Sequence, residues 1–219
     1  MLGRHLTAAG LTLALGLACA TAAQAQDFKT KEAGDILVRG RGVAVLPQSS
    51  NTAITTQSGA ATGLKVGDIS NSFVPEVDFS YFFTDQIAAE LILGTTRHDV
   101  KTANGIDMGH VWLLPPTLTA QFHPFPKARF SPYVGAGINY TMFYGVKSGS
   151  NPAVQNTSYS NSFGPALQVG MDVALGGRWS LNVDVKKLWV RTDVSTNALK
   201  ANDVKIDPWL VGVGIGYRF

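Results

Sequence analysis

Apolar side chains recur at every second position in the last stretch of the chain. From Trp209 to Phe219 every odd-numbered position is apolar, and the even-numbered positions after Leu210 are three glycines and Arg218. A period of two is typical of a β-strand with one apolar face and one small or polar face. The stretch has about the length of a tilted strand that crosses a bilayer, roughly 9–11 residues. Aromatic residues near both ends of the apolar face agree with two membrane interfaces.

Seven further stretches show the same alternation, so eight strands are predicted. Their approximate bounds are 35–45, 73–83, 87–95, 111–123, 130–145, 163–175, 179–186 and 209–219. Long polar segments, which we predict to be loops, alternate between them with short turns such as Thr84-Asp85-Gln86 and Gly176-Gly177. This alternation is typical of bacterial outer-membrane barrels, and a soluble β-sandwich would not need it. The sequence therefore predicts an all-β chain that forms an eight-stranded antiparallel transmembrane β-barrel.

The N-terminus has the features of a secretory signal peptide. Arg4 and His5 precede an uncharged run over 6–23, and Ala23-Gln24-Ala25 is an A-x-A cleavage site. We predict cleavage after Ala25, so that 1–25 is the signal peptide and 26–219 is the barrel domain. The alternative, a membrane anchor, would require a longer apolar run. Hydrophobic residues are 45% of the chain and charged residues only 15%, which suits an exported barrel.

The net charge and the spacing of the histidines limit the classes of function that the chain can have. The formal net charge is only +3 and the basic residues are scattered, so we expect no nucleic-acid partner. The histidines show no metal-ligand spacing, and no Ser/His/acid arrangement can be argued from spacing. We therefore predict no catalytic residues, no metal and no cofactor.

Nine charged residues fall on the predicted inward faces of the strands. They are Arg39, Arg41, Glu76, Asp78, Glu90, Asp172, Asp184, Lys186 and Arg218. An eight-stranded interior is only wide enough for its own side chains, and an unpaired buried charge is costly. We interpret the set as a polar plug of ion pairs that blocks water and ions. An ion path or a catalytic pair of carboxylates is the alternative.

Two consecutive prolines interrupt the fourth predicted strand. Pro115 and Pro116 lack the N–H groups that a β-ladder needs. The simpler interpretation puts them in a loop, with the strand beginning at Thr117. The remaining seven residues to His123 would then be too short to cross the membrane. We therefore predict that the prolines lie at membrane depth and open a lateral gap in the wall.

Several segments together resemble the OmpW family of outer-membrane proteins, over essentially the whole chain after the signal peptide. The segments are Val38-Arg39 leading to Pro47, Tyr81-Phe82-Phe83-Thr84-Asp85, Leu114-Pro115-Pro116-Thr117, Pro132-Tyr133-Val134-Gly135-Ala136-Gly137-Ile138-Asn139-Tyr140-Thr141, and Asp207-Pro208-Trp209 with Tyr217-Arg218-Phe219. The resemblance implies a barrel whose external half encloses a hydrophobic channel with a lateral exit into the membrane.

The resemblance also implies a set of apolar channel-lining residues near the external end. They are Leu46, Pro47, Phe73, Val74, Trp112, Leu113, Leu114, Met142 and Phe143. The implied function is passive uptake of small hydrophobic molecules by a non-enzymatic channel of the bacterial outer membrane. The alternatives are a structural or receptor barrel without transport activity, and a lipid-modifying enzyme.

The expected partners follow from the predicted location in the bacterial outer membrane. They are outer-membrane lipid and lipopolysaccharide, small hydrophobic solutes and, during assembly, the barrel-insertion machinery. The end of the chain, with Tyr217 and Phe219, resembles the signal by which that machinery selects barrels.

Overall fold

The computed structural model describes residues 28–48 and 51–219, and the strands of this part form one continuous fifteen-stranded sheet. In chain order the strands are β1 (Ile36–Leu46), β2 (Ala53–Thr56), β3 (Ala61–Ile69), β4 (Ser72–Phe82), β5 (Ile87–Gly94), β6 (Thr96–Thr102), β7 (Asp107–Leu114), β8 (Thr117–Phe122), β9 (Phe130–Ser148), β10 (Ser158–Tyr159), β11 (Ser162–Gly176), β12 (Trp179–Leu188), β13 (Arg191–Ser195), β14 (Leu199–Lys205) and β15 (Trp209–Arg218). A single 3-10 turn, Pro152–Val154, lies in the described connection between β9 and β10.

Eight of these strands close an antiparallel barrel in the order β1, β4, β5, β8, β9, β11, β12 and β15. The closing seam pairs β15 with β1, from Leu37 opposite Arg218 to Leu46 opposite Trp209. Closure leaves no free sheet edge within the barrel. The predicted eight-stranded antiparallel barrel is therefore confirmed.

Strand alternation separates a lipid-type outer face from a filled interior. In β15, Val211, Val213 and Ile215 are each about half exposed, whereas Leu210 is buried. At the short-turn end, the ring of Tyr217 lies 4.9 Å from the rings of both Trp179 and Phe219. The outer face is thus apolar along the strand and aromatic at its end, as a membrane-spanning barrel requires.

Seven strands extend the wall beyond the barrel at the long-loop end, where loops were predicted except over 111–114 of β7, which belong to the predicted fourth strand. β2 with β3, β6 with β7, and β13 with β14 are hairpins, and β10 pairs with β13. The prediction of loops there was wrong. The signal was hidden because β2 and β3 are rich in Thr, Ala and Gly, which are also typical of loops.

The predicted signal peptide, 1–25, lies outside the described residues. Across 28–48 and 51–219 there is no helix that is long and apolar enough to span a membrane.

Deleting Phe219 tests the predicted assembly signal. Phe219 is exposed, donates its N–H to the Ile36 carbonyl at 2.9 Å, and packs on Tyr217. We expect the deletion to lower the inserted, folded yield several-fold, measured as the heat-modifiable band in outer-membrane fractions. The control is Phe125→Ala, which removes an equally exposed aromatic side chain from a short turn. Equal folded yields for the deletion and the wild-type chain would contradict the signal.

Candidate functional site: an apolar column above an ionic plug

Arg39 is the centre of the charged network inside the barrel. Its guanidinium binds Asp172 in a two-point contact, Nε to Oδ1 at 3.0 Å and Nη2 to Oδ2 at 2.9 Å. The same group reaches Asp78 at 2.9 Å and Glu90 at 3.3 Å. Arg39, Asp78 and Glu90 have no solvent-exposed surface. One guanidinium therefore satisfies three carboxylates from three other strands.

Arg41 and Lys186 continue the network towards the long-loop end. Arg41 lies 2.6 Å from Glu90 and 3.0 Å from Asp184, and it also pairs with Asp78. Lys186 lies 3.0 Å from Glu76 and 2.6 Å from Asp184. Below, "ionic plug" means these eight residues: Arg39, Arg41, Glu76, Asp78, Glu90, Asp172, Asp184 and Lys186. Arg218, the ninth predicted member, is buried outside it, 3.9 Å from Asp35 at the short-turn end.

Lys31 is a buried cation that the sequence analysis missed. Its Nζ lies 2.8 Å from Asp172 Oδ2, donates to Ser131 Oγ at 2.7 Å, and lies 2.8 Å from His123 Nδ1. Lys31 precedes β1, where no alternation signals an inward position. The chain before β1 thus places a further positive charge against the ionic plug from the short-turn end.

Above the ionic plug the interior is largely apolar. Buried aliphatic side chains from the upper barrel and from the extension form one cluster. Three cavities follow one another through it, with volumes of about 20, 30 and 30 Å³. We call them the outer, middle and inner cavities, and together they form the apolar column. Each has room for about one water molecule, so a solute can pass only if side chains move.

Shared lining residues show that the column is continuous. His98, Leu113 and Ile206 line both the outer and the middle cavity. Leu188 and Pro115 are among the residues that line both the middle and the inner cavity. The inner cavity ends on Glu76 and Lys186, which are members of the ionic plug. The column therefore reaches from the long-loop end down to the first ion pair.

The predicted lining residues divide between the two faces of the wall. Val74 and Leu113 line cavities, and Phe143 packs against the apolar cluster. Leu46 and Phe73 do not line the column as predicted. Leu46 follows the inward residue Val45 and is 38% exposed, and Phe73 precedes the inward residue Val74 and is 75% exposed, so both lie on the outer face.

The other predicted lining residues are half-buried and line none of the three cavities. They are Pro47, Trp112, Leu114 and Met142. Trp112 packs instead near Tyr144, with ring centroids 6.3 Å apart. Neighbouring residues on a strand face opposite sides of the wall, so Leu113 and its neighbours Trp112 and Leu114 do not all face the same cavity.

Pro115 and Pro116 separate β7 from β8, and both strands pair with β9. Leu114 lies opposite Met142 and Thr117 opposite Asn139, so the register with β9 continues across the prolines. On the other side, ladder pairing stops at Ile92 opposite Thr117 and resumes at Thr96 opposite Leu113.

The ladder is therefore interrupted between the prolines and the chain around Gly94. Gly94 and Pro115 line the inner cavity from the two sides of this interruption. The predicted lateral exit at this place stays a prediction.

The comparisons with known proteins agree with this architecture. The model of the OmpW family matches residues 32–219. The chain belongs to the OmpW family. It is 43% identical over 192 residues to the uncharacterized outer-membrane protein y4mB of Sinorhizobium fredii, covering 84% of this chain and 79% of that protein. It is 34% identical over 197 residues to outer membrane protein W of Escherichia coli, covering 86% and 90%.

A solved structure of another outer-membrane protein has the same fold. The crystal structure of the outer membrane protein OprG from Pseudomonas aeruginosa matches with a TM-score of 0.80 and 28% identity, over 89% of this chain and 99% of that chain. The predicted family and the predicted outer-membrane localisation are thus confirmed. As an outer-membrane barrel, the protein is surrounded by lipid and lipopolysaccharide.

Replacing Arg39 tests the energetic role of the ionic plug. Arg39→Met leaves Asp172 and Asp78 without their main partner, and removing one member of a buried pair costs about 3–5 kcal/mol. We expect that loss in urea-induced unfolding of the lipid-reconstituted barrel. The control is Arg191→Met, because the pair of Arg191 with Asp203 is more than half exposed and contributes at most about 1 kcal/mol. Equal losses for the two variants would contradict the plug.

Proposed function

We propose that this chain mediates passive uptake of small hydrophobic molecules across the outer membrane. One observation carries the proposal: an apolar column descends from the external end and stops on buried ion pairs beside an interruption of the wall. A solute that enters from outside meets aliphatic side chains, and the ionic plug bars its way to the periplasm. The exit that remains is lateral.

The interruption at Pro115 and Pro116 provides that exit. A proline cannot donate to the neighbouring strand, so separating the wall there breaks no hydrogen bond from either residue. Gly94, on the opposite side, carries no side chain that would fill the opening. A solute in the inner cavity therefore leaves between these residues into the outer leaflet, which accepts apolar molecules.

Lipopolysaccharide hinders apolar solutes at the outer surface, and water-filled porins disfavour them. A column that extends to the long-loop end and releases its solute sideways into the membrane bypasses both obstacles. A relative supports the solute class: the dibenzothiophene metabolism operon protein PahQ of Pseudomonas aeruginosa is 29% identical over 160 residues, covering 69% of this chain and 74% of PahQ. Its name refers to metabolism of an apolar aromatic compound.

A polar side chain within the column should slow uptake. Leu113 is buried and lines two of the cavities, so Leu113→Gln places an amide where an apolar solute must pass. A desolvated polar group costs about 1–3 kcal/mol, which corresponds to a decrease in uptake of roughly 5- to 150-fold. The measurement is the initial entry of radiolabelled n-octane into cells that produce the protein, minus entry into cells that lack it.

Leu114→Gln is the matched control, because Leu114 is adjacent, half-buried and outside the lining of the three cavities. We expect it to retain most of the uptake. If n-octane enters equally fast with and without the protein, transport is refuted, and a structural or receptor barrel remains.

Restoring two backbone donors should close the exit. The double substitution Pro115→Thr with Pro116→Val allows β7 and β8 to pair with β5 and β6 as one ladder. We expect uptake of n-octane to fall several-fold while the heat-modifiable folded band persists.

The control for that variant is Pro165→Thr, which supplies a donor in β11, on the outer face and away from the three cavities. Undiminished uptake by the double variant would show that solutes leave the column elsewhere.

A further inference from the structure

The middle cavity carries three polar side chains among its aliphatic ones. They are Thr96, His98 and Thr141. Two prolines, Pro115 and Pro208, also line it and contribute no N–H group. The hydrogen bonds of the polar side chains determine whether any of them can still donate to a solute.

The partner of His98 fixes its tautomer. Its Nδ1 lies 2.6 Å from the Ser70 carbonyl oxygen, which can only accept, so Nδ1 carries the proton. In a neutral imidazole Nε2 is then an acceptor, and it lies 3.0 Å from the Thr96 hydroxyl. Thr96 therefore donates its single proton to His98. Burial lowers the pKa of His98, although the hydrogen bond to Ser70 and the charge of Asp99 oppose this shift. The lowered pKa keeps the ring neutral at pH 7.

The hydroxyl proton of Thr141 is also donated to another group of the protein. It donates to Asn139 Oδ1 at 3.1 Å. The amide nitrogen of Asn139 donates to the carbonyls of Gly164 and Pro165 at 3.0 and 3.1 Å, so Oδ1 is the accepting end. Deeper in the inner cavity, Thr117 donates its proton to the Pro115 carbonyl at 2.9 Å. These hydroxyl groups offer a solute only oxygen lone pairs.

We propose that the middle cavity is a hydrogen-bond acceptor site, which favours hydrophobic molecules with one hydrogen-bond donor, such as alcohols, over isomeric ethers. This inference rests on the proposed uptake function and names its substrate class. An alcohol donates its hydroxyl proton to a lone pair of Thr96 or Thr141. An ether has no proton to donate, and the lone pairs of its oxygen are repelled by those of the two hydroxyl groups.

Two isomers of one formula provide the test: 1-octanol has a donor and dibutyl ether has none. Initial entry of each radiolabelled probe is measured in cells with and without the protein, and n-octane is the reference. The alcohol-to-ether ratio of the protein-dependent rates is divided by the ratio in cells without the protein. We expect a corrected ratio of roughly two to ten, the range that one net hydrogen bond provides.

Variants locate the preference in the middle cavity. Thr96→Val alone uncovers His98 Nε2 as a new acceptor, so it should retain most of the ratio. Thr96→Val combined with His98→Leu removes both groups and should lower the ratio, and adding Thr141→Val to that variant should bring the ratio towards one. Thr141→Val alone should lower the ratio partly, and it keeps the test open if the combined variants do not fold. The control is Thr55→Val, whose hydroxyl donates to the Lys200 carbonyl outside the three cavities.

Each outcome decides a separate point. A wild-type ratio near one, with n-octane uptake still dependent on the protein, overturns the acceptor site and leaves the uptake function intact. A high ratio that the folded triple variant retains also overturns the site. If entry of n-octane, 1-octanol and dibutyl ether is independent of the protein, the uptake function fails and the substrate class fails with it.

Discussion

Pairing of buried charge is the constraint on which the interior depends. An eight-stranded barrel has no room for a wide water-filled lumen, so a charge on an inward face must find its counter-charge within the wall. Arg39 meets this requirement by binding carboxylates from three other strands at once. Those contacts require one strand register around the barrel, because a shift of one residue would turn every charge towards lipid.

The ionic plug divides the barrel into two functional halves. At and below it, ion pairs and polar side chains such as Tyr133, Asn182 and Gln168 fill the cross-section. Above it the same inward parity carries aliphatic residues, and the extension strands continue that lining outwards. The prolines lie at the boundary between the halves. The chain thus places an interruption of its wall pairing beside the floor of its apolar column.

Hydrogen bonding within the column follows the same rule as charge pairing in the plug. A buried hydroxyl or imidazole that lacks a partner is costly, so each donates to a neighbour already present in the protein. His98 and Thr96 satisfy each other and the Ser70 carbonyl in this way. The hydrogen-bonding capacity that remains consists of acceptor lone pairs. These lone pairs give a largely apolar site a preference for solutes that donate a hydrogen bond.

The sequence by itself determined the eight barrel strands, their parity and the closed barrel, because alternation is a local property that each strand carries along its own length. It also placed Arg39, Asp172 and the other plug residues inside, since inward parity needs no knowledge of the partner. Only the tertiary structure decided which residues meet. Lys31 joins Asp172 across more than a hundred residues of chain, and Leu46 and Phe73 turn outwards where the resemblance suggested lining residues.

The extension strands and the role of His98 were likewise decided in three dimensions. β2 and β3 have the composition of loops and become strands because neighbouring hairpins supply their ladder partners. The sequence gives His98 no metal-ligand spacing and no assigned role, and β6 buries it by pairing with β3 and β7. Periodicity indicates which face of the sheet a residue occupies. The register between distant strands determines which residues it contacts, and these contacts determine the hydrogen-bonding properties of the column.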